Sequence, residues 1–385
     1  MLHTALIFVL SGLAAGTSIQ PSPTPSSASP WQACAASMNG QLPAQTPSDF
    51  HFSGNVRRYY VAAEEVQWDY APMGWDNWLG VPIDKSPRAK PYTKFNTTYL
   101  KALYRGYTDA SFTQLTEQPP WQGTQGPTLR SEVGDLLEIM FNEGSDYVPN
   151  PRPHENATIP LSSAVPPLDG GIGPGECVVY KWLPDDAVAP NGNDQSRAFS
   201  YHSYVDLLSD SDAGLTGPQI VYARGRMNAT MQNYKEFPLL FGTYNEPTSF
   251  LGNYSVWYPQ VVNLASSGRF EAAPEFKTLN GYIFGNNPPF EMCQNDQAIW
   301  YAYGWGSDSH VFHMHGNAVV VDGVRSFAVS LNDGVSKTLL MTASDVGFWQ
   351  AICHVNNHQQ DGMLANYVVY GAGKGEMMGE DEQAS

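Results

Sequence analysis

Positive charge is scarce in this 385-residue chain: 20 Lys and Arg stand against 37 Asp and Glu, and the net charge is −17. A nucleic-acid partner needs a Lys/Arg surface against its phosphates, so that class is excluded. Charged residues make up only 15% and hydrophobic ones 42%, which excludes a disordered chain. No later run approaches the roughly 20 apolar residues that span a bilayer as a helix. No stretch of helical period stands out either. Four cysteines are present. An oxidising compartment permits one disulfide among Cys34, Cys177 and Cys293, and the sequence does not choose the pair.

What is abundant points to strands and turns. Gly 35, Pro 29 and Tyr 21 suit short strands joined by turns. Tyr59–Ala63 and Ala318–Val321 read as strands, the second followed by the turn pair Asp322-Gly323. Gly362–Tyr370 alternates like a final strand. Ala5–Leu13 with the small residues Ala14, Ala15 and Gly16 reads as a secretory signal over 1–17. Sequons at Asn96, Asn156, Asn228 and Asn253 fit a secreted glycoprotein. A Ser/Pro-rich linker follows over 18–56, then two β-sandwich domains over 57–224 and 225–371, and an acidic tail over 372–385. A weak repeat, Tyr201-His202-Ser203-Tyr204 against Ile352-Cys353-His354, supports two similar domains.

The chemical signal is the histidines. Five of the nine lie between 310 and 358. Cys353, His358 and Met363 stand in Cys-x4-His-x4-Met, with His310 upstream. A thiolate and two imidazoles with a long axial thioether suit a blue, type 1 copper. His313 and His315 alternate on a strand and so share a face. With His354, which points opposite to Cys353, and His202, they are candidates for a second copper.

Around these residues the chain resembles the multicopper oxidases, and the ceruloplasmin/hephaestin branch in particular. Tyr59–Tyr70, Lys101–Tyr104, Tyr107-Thr108-Asp109 and Asn280–Gly285 carry that resemblance. It implies an all-β fold of two cupredoxin-like domains, with copper as the cofactor. It also implies one-electron oxidation of a small substrate, a phenol-like organic or Fe(II), at His310, Cys353, His358 and Met363. The family passes electrons on to a trinuclear copper cluster held by four histidine pairs. Here only His313 and His315 keep their pair: Ile352 and His354 flank Cys353, His202 and Tyr204 stand in the first domain, and the stretch to His154 is Pro-rich. An intact cluster and four-electron O2 reduction are therefore not expected. Ser203 replaces the first domain's cysteine, so no blue site is expected there. Asn357 stands where iron-oxidising members carry an acid, with Asp308 and Asp361 nearby in sequence. An electron carrier or copper-binding cupredoxin, and a structural or protein-binding relative, are the rival readings. Homo-oligomerisation is left open.

Overall fold

A computed structural model describes residues 30–89, 97–143, 151–153, 172, 177–192, 194–203, 205–252, 275–306 and 308–371. The signal segment, Tyr204, His154 and the acidic tail lie outside these residues. The fold is mostly β. In chain order a first set of strands comprises β1 (Val56–Asp69), β2 (Trp75–Asp76), β3 (Val81–Pro82), β4 (Thr98–Tyr107), β5 (Leu129–Glu132), β6 (Leu136–Glu143), β7 (Pro151–Pro153), β8 (Cys177–Trp182), β9 (Ser196–Ser203) and β10 (Thr216–Tyr222). The second set comprises β11 (Lys235–Asn245), β12 (Glu275–Leu279), β13 (Phe290–Cys293), β14 (Gln297–Trp305), β15 (His310–Met314), β16 (Val319–Val321), β17 (Val324–Ser326), β18 (Ala328–Leu331), β19 (Ser336–Thr342), β20 (Gly347–Cys353) and β21 (Leu364–Tyr370). Four short helices accompany them: α1 (Pro30–Ser37), α2 (Leu207–Ala213), α3 (Met227–Asn233) and α4 (Asn356–Gln360).

The first set forms sheets ordered β4-β1-β6-β8 and β5-β10-β9-β7, with the β2–β3 hairpin apart. The second forms β12-β11-β14-β19-β16-β17 and β13-β21-β20-β15-β18. Each pair of sheets encloses its own apolar core. Val61, Tyr104, Ile139, Trp182 and Tyr201 lie in the first, and Phe241, Trp300, Phe312, Leu339 and Tyr367 in the second. Asp322 and Gly323, with φ of 50° and 77°, make the turn between β16 and β17.

Strand β14 shows why the two sandwiches stack. Its residues Ala298–Trp305 are all buried, although they alternate in direction. Trp300 and Ala302 enter the second core, while Ile299 and Tyr301 pack with Ala198, Ile220 and Tyr222 of β9 and β10. A strand covered on both faces reads as a continuous apolar run. Polar groups lock the same seam: Tyr301 Oη donates to Glu236 at 2.5 Å, and the buried Lys101 Nζ meets the buried Glu246 at 2.9 Å.

The 18–56 stretch is not wholly a linker. Helix α1 lies within it, and Cys34 of α1 is bonded to Cys177 of β8, 143 residues away. Closing so long a loop restricts the unfolded chain and stabilises the fold by about 5 kcal/mol in the chain-entropy account. Cys293 is the exposed free thiol and Cys353 the buried one.

Candidate metal centre

The site grows from the pairing of β15 with β20. Phe312 stands opposite Cys353 and His313 opposite Ile352, so alternation sends His310, Phe312 and Cys353 inward and His313 and His354 to the other face. After Cys353 the chain turns through α4, which carries His358, and returns as β21. Backbone bonds close this loop: Cys353 N–H donates to the Met363 carbonyl (3.0 Å) and Met363 N–H to the His358 carbonyl (2.9 Å). Gly362 takes φ of 94°, and a Cβ there would lie 2.8 Å from the Phe284 ring, so only glycine lets the loop pack down. From the first sandwich, Arg88 holds the buried Asp76 at 2.6 Å and donates to the Gln359 carbonyl at 3.3 Å, which pins α4 from outside.

The loop brings three soft and borderline donors together. His310 Nδ1 lies 3.9 Å and His358 Nδ1 3.4 Å from Cys353 Sγ. These three residues offer atoms all within 4.8 Å of one another, the only such cluster among the described residues. Met363 is fully buried in the same core. Burial, helped by the nearby His358, drives His310 down to about 3, so its ring is neutral with a lone pair to give. Burial also lowers His358 and raises the Cys353 thiol. A metal arriving here displaces the thiol proton rather than an imidazolium proton.

His358 is oriented from behind. Its Nε2 lies 3.3 Å from Asp308 Oδ2, and that carboxylate also meets Lys277 Nζ at 2.9 Å. A neutral ring donating Nε2–H to Asp308 leaves Nδ1 unprotonated toward Cys353. Burial pushes the Asp308 carboxyl up, but the bond and charge of Lys277, with the histidines, hold it below its usual value. Asp308, Ser309, Asn332, Asp333, Val355, Asn357 and His358 line an open cavity of about 570 Å³. Lys277 and Glu275, both on β12, had no signal in the sequence, because only the register of β12 beside β11 brings them here.

The other histidines divide. His313 centres a group, its ring 5.1 Å from those of both His315 and His354. His315 also faces Trp78 of the first sandwich at 5.9 Å. His202 is not seen in that group: its ring lies 4.3 Å from Trp305, and its Nδ1 is 2.6 Å from the Ser203 carbonyl. Ile352 is a buried alkyl group on the face of β20 that carries His354. The described residues therefore fit a type 1 copper set and do not fit a trinuclear one.

The low value of His310 has a consequence for the metal-free protein. Above pH 6.5 the ring is neutral in both folded and unfolded chains and contributes nothing to the pH dependence. Below it the unfolded chain gains a proton that the fold refuses until about pH 3, so stability falls across that window. The loss attributable to His310 is on the order of 4 kcal/mol. Urea unfolding between pH 7 and 4 (roughly the window that matters) should show it in metal-free wild type, and His310→Gln should flatten the slope.

Comparison with known proteins agrees with this geometry. Residues 256–372 match the model of the family described as Multicopper oxidase. Ferroxidase HEPHL1 of Homo sapiens is 31% identical over 341 residues, which cover 82% of this chain and 29% of that protein. Ceruloplasmin of Homo sapiens is 30% identical over 354 residues, covering 82% of this chain and 32% of its own. The chain thus spans about a third of the length of these relatives. Among solved structures, the Blue Copper Oxidase of Nitrosomonas europaea superposes with a TM-score of 0.53 at 14% identity, over 82% of this chain and 86% of that one.

Proposed function

The chain belongs to the multicopper oxidase family, a family that uses copper, and on that premise we propose that it is a secreted copper-dependent oxidoreductase that takes single electrons from a small donor. The observation that carries this reading is the convergence of His310 Nδ1, Cys353 Sγ and His358 Nδ1 within one buried 4.8 Å cluster. These three atoms, with the thioether of the buried Met363, would hold a type 1 copper. Bound there, copper supplies a one-electron acceptor that cycles between its two common oxidation states.

The protein's own part is positional. Asp308 orients His358, whose Nε2 edge faces the cavity that opens to solvent. A donor seated in that cavity meets the ring edge directly, and the phenolic proton of a hydroxyl donor can leave to water. The core around Cys353 excludes water from the sulfur. On the far side, His354 follows Cys353 covalently and faces His313 at 5.1 Å, which supplies a route onward to an acceptor. Secretion is supported by the Cys34–Cys177 bond and by the exposed sequon residue Asn228. The other sequon asparagines lie outside the described residues.

The test is direct. Copper-loaded protein should hold about one blue copper per chain. An anaerobic donor, hydroquinone or Fe(II), should bleach the visible band with one electron transferred per copper. Binding of copper without colour, or colour that no donor bleaches, would reject the reading in favour of a storage or structural role.

A further inference from the structure

A buried cation stands behind the cavity beside His358, on its Asp308 wall. Lys277 Nζ lies 2.5 Å from Glu275 Oε1 and 2.9 Å from Asp308 Oδ2, and its side chain is only 7% exposed. Asp308 Oδ2 is shared between that ammonium and His358 Nε2. A divalent metal ion taking oxygen ligands from Glu275 and Asp308 would have to displace the ammonium that already bridges them. It would also sit within a few ångströms of a fixed positive charge that has little solvent-accessible volume into which to swing. The rest of the wall is made of the Ser309 hydroxyl, the Asn332 and Asn357 amides, the apolar Val355 and the Asp333 carboxylate.

We propose that Lys277 is the specificity-determining residue beside this cavity: it occupies the place of a metal-ion substrate between Glu275 and Asp308, and so favours a hydroxyl-bearing organic donor over a metal ion at His358. This rests on the reading of His358 as the electron entry, and it goes against what the ferroxidase names of the relatives would suggest for this chain. Lys277 is a positioning residue as well, since it holds the carboxylate that orients His358.

The probe is Mn(II), measured by equilibrium dialysis and metal analysis on copper-loaded wild type, Lys277→Ala, Lys277→Arg and the double variant Lys277→Ala/Asp308→Asn. Lys277→Ala should gain an additional saturable Mn(II) relative to wild type, while Lys277→Arg and the double variant should not. Wild type that already binds this Mn(II), or Lys277→Ala that gains none, overturns the proposal. Lys277→Met, which keeps the aliphatic length without the charge, serves if the alanine variant proves unstable. In parallel, the ratio of Fe(II) to hydroquinone bleaching rates should rise about tenfold or more in Lys277→Ala as the repulsion disappears. The Mn(II) result does not depend on copper chemistry. A colourless protein would therefore sink the oxidoreductase reading, while dialysis still decides what Lys277 excludes.

Discussion

Cys353→Ser should abolish the intense visible absorption of the copper-loaded protein and lower copper retention sharply. The band of a blue site arises from a thiolate bound to oxidised copper, and no other described cysteine is near: Cys34 and Cys177 are bonded together and Cys293 is exposed. A serine hydroxyl at this buried position stays protonated at ordinary pH and is too hard to replace sulfur. The fold should survive, because the change is nearly isosteric within a core of Phe312, Met314 and Ala351. Absorption spectra and copper analysis of both proteins check this. A wild type that binds copper without colour, or a serine variant that stays blue, would show that the triad is not the metal site.

Fully reduced protein should reoxidise slowly in air, or give hydrogen peroxide rather than water, with two one-copper chains each supplying one of the two electrons that peroxide needs. Four-electron reduction of O2 needs several coppers close together, and among the described residues the histidines that would hold them are incomplete. Ile352 presents an alkyl group beside His354, and His202 lies against Trp305 and the Ser203 carbonyl. The histidines that do gather, His313, His315 and His354, do not bring their ring nitrogens together as the donors of His310, Cys353 and His358 are brought. Burial, and then the charge of neighbouring histidines, lower His313 and His315 below the usual imidazole value. Ile352→His alone should not restore water production, because one imidazole does not supply the ligands missing from the first sandwich. Stopped-flow reoxidation with a peroxide assay and a copper count decides the matter. Rapid reoxidation to water with about four coppers per chain would mean that residues outside this set complete the cluster.

The cluster of His310, Cys353 and His358 was legible in the sequence because it is local. Cys353, His358 and Met363 are delivered by one loop, and its spacing fixes which side chains return to the same point whatever lies around them. His310 needed one strand pairing more, and alternation on β15 separates it from His313 without further information. The turn at Asp322-Gly323 and the final strand were legible for the same reason, being set by neighbours in the chain. The second histidine group was legible only in part: His313, His315 and His354 follow from two adjacent strands, whereas His202 belongs to another sheet, and nothing in its sequence shows where that sheet stands.

The surroundings that give the site its character were decided by tertiary structure. Lys277 is 31 residues from Asp308, and Arg88 is 271 residues from Gln359. Such contacts depend on sheet register and on how one sandwich stacks on the other, which composition and spacing do not encode. The choice of Cys34 and Cys177 over Cys293 is of the same kind, since a bond across 143 residues requires β8 to bring its first residue beside α1. Short-range geometry settled which atoms can meet a metal; long-range packing settled which charges stand behind them.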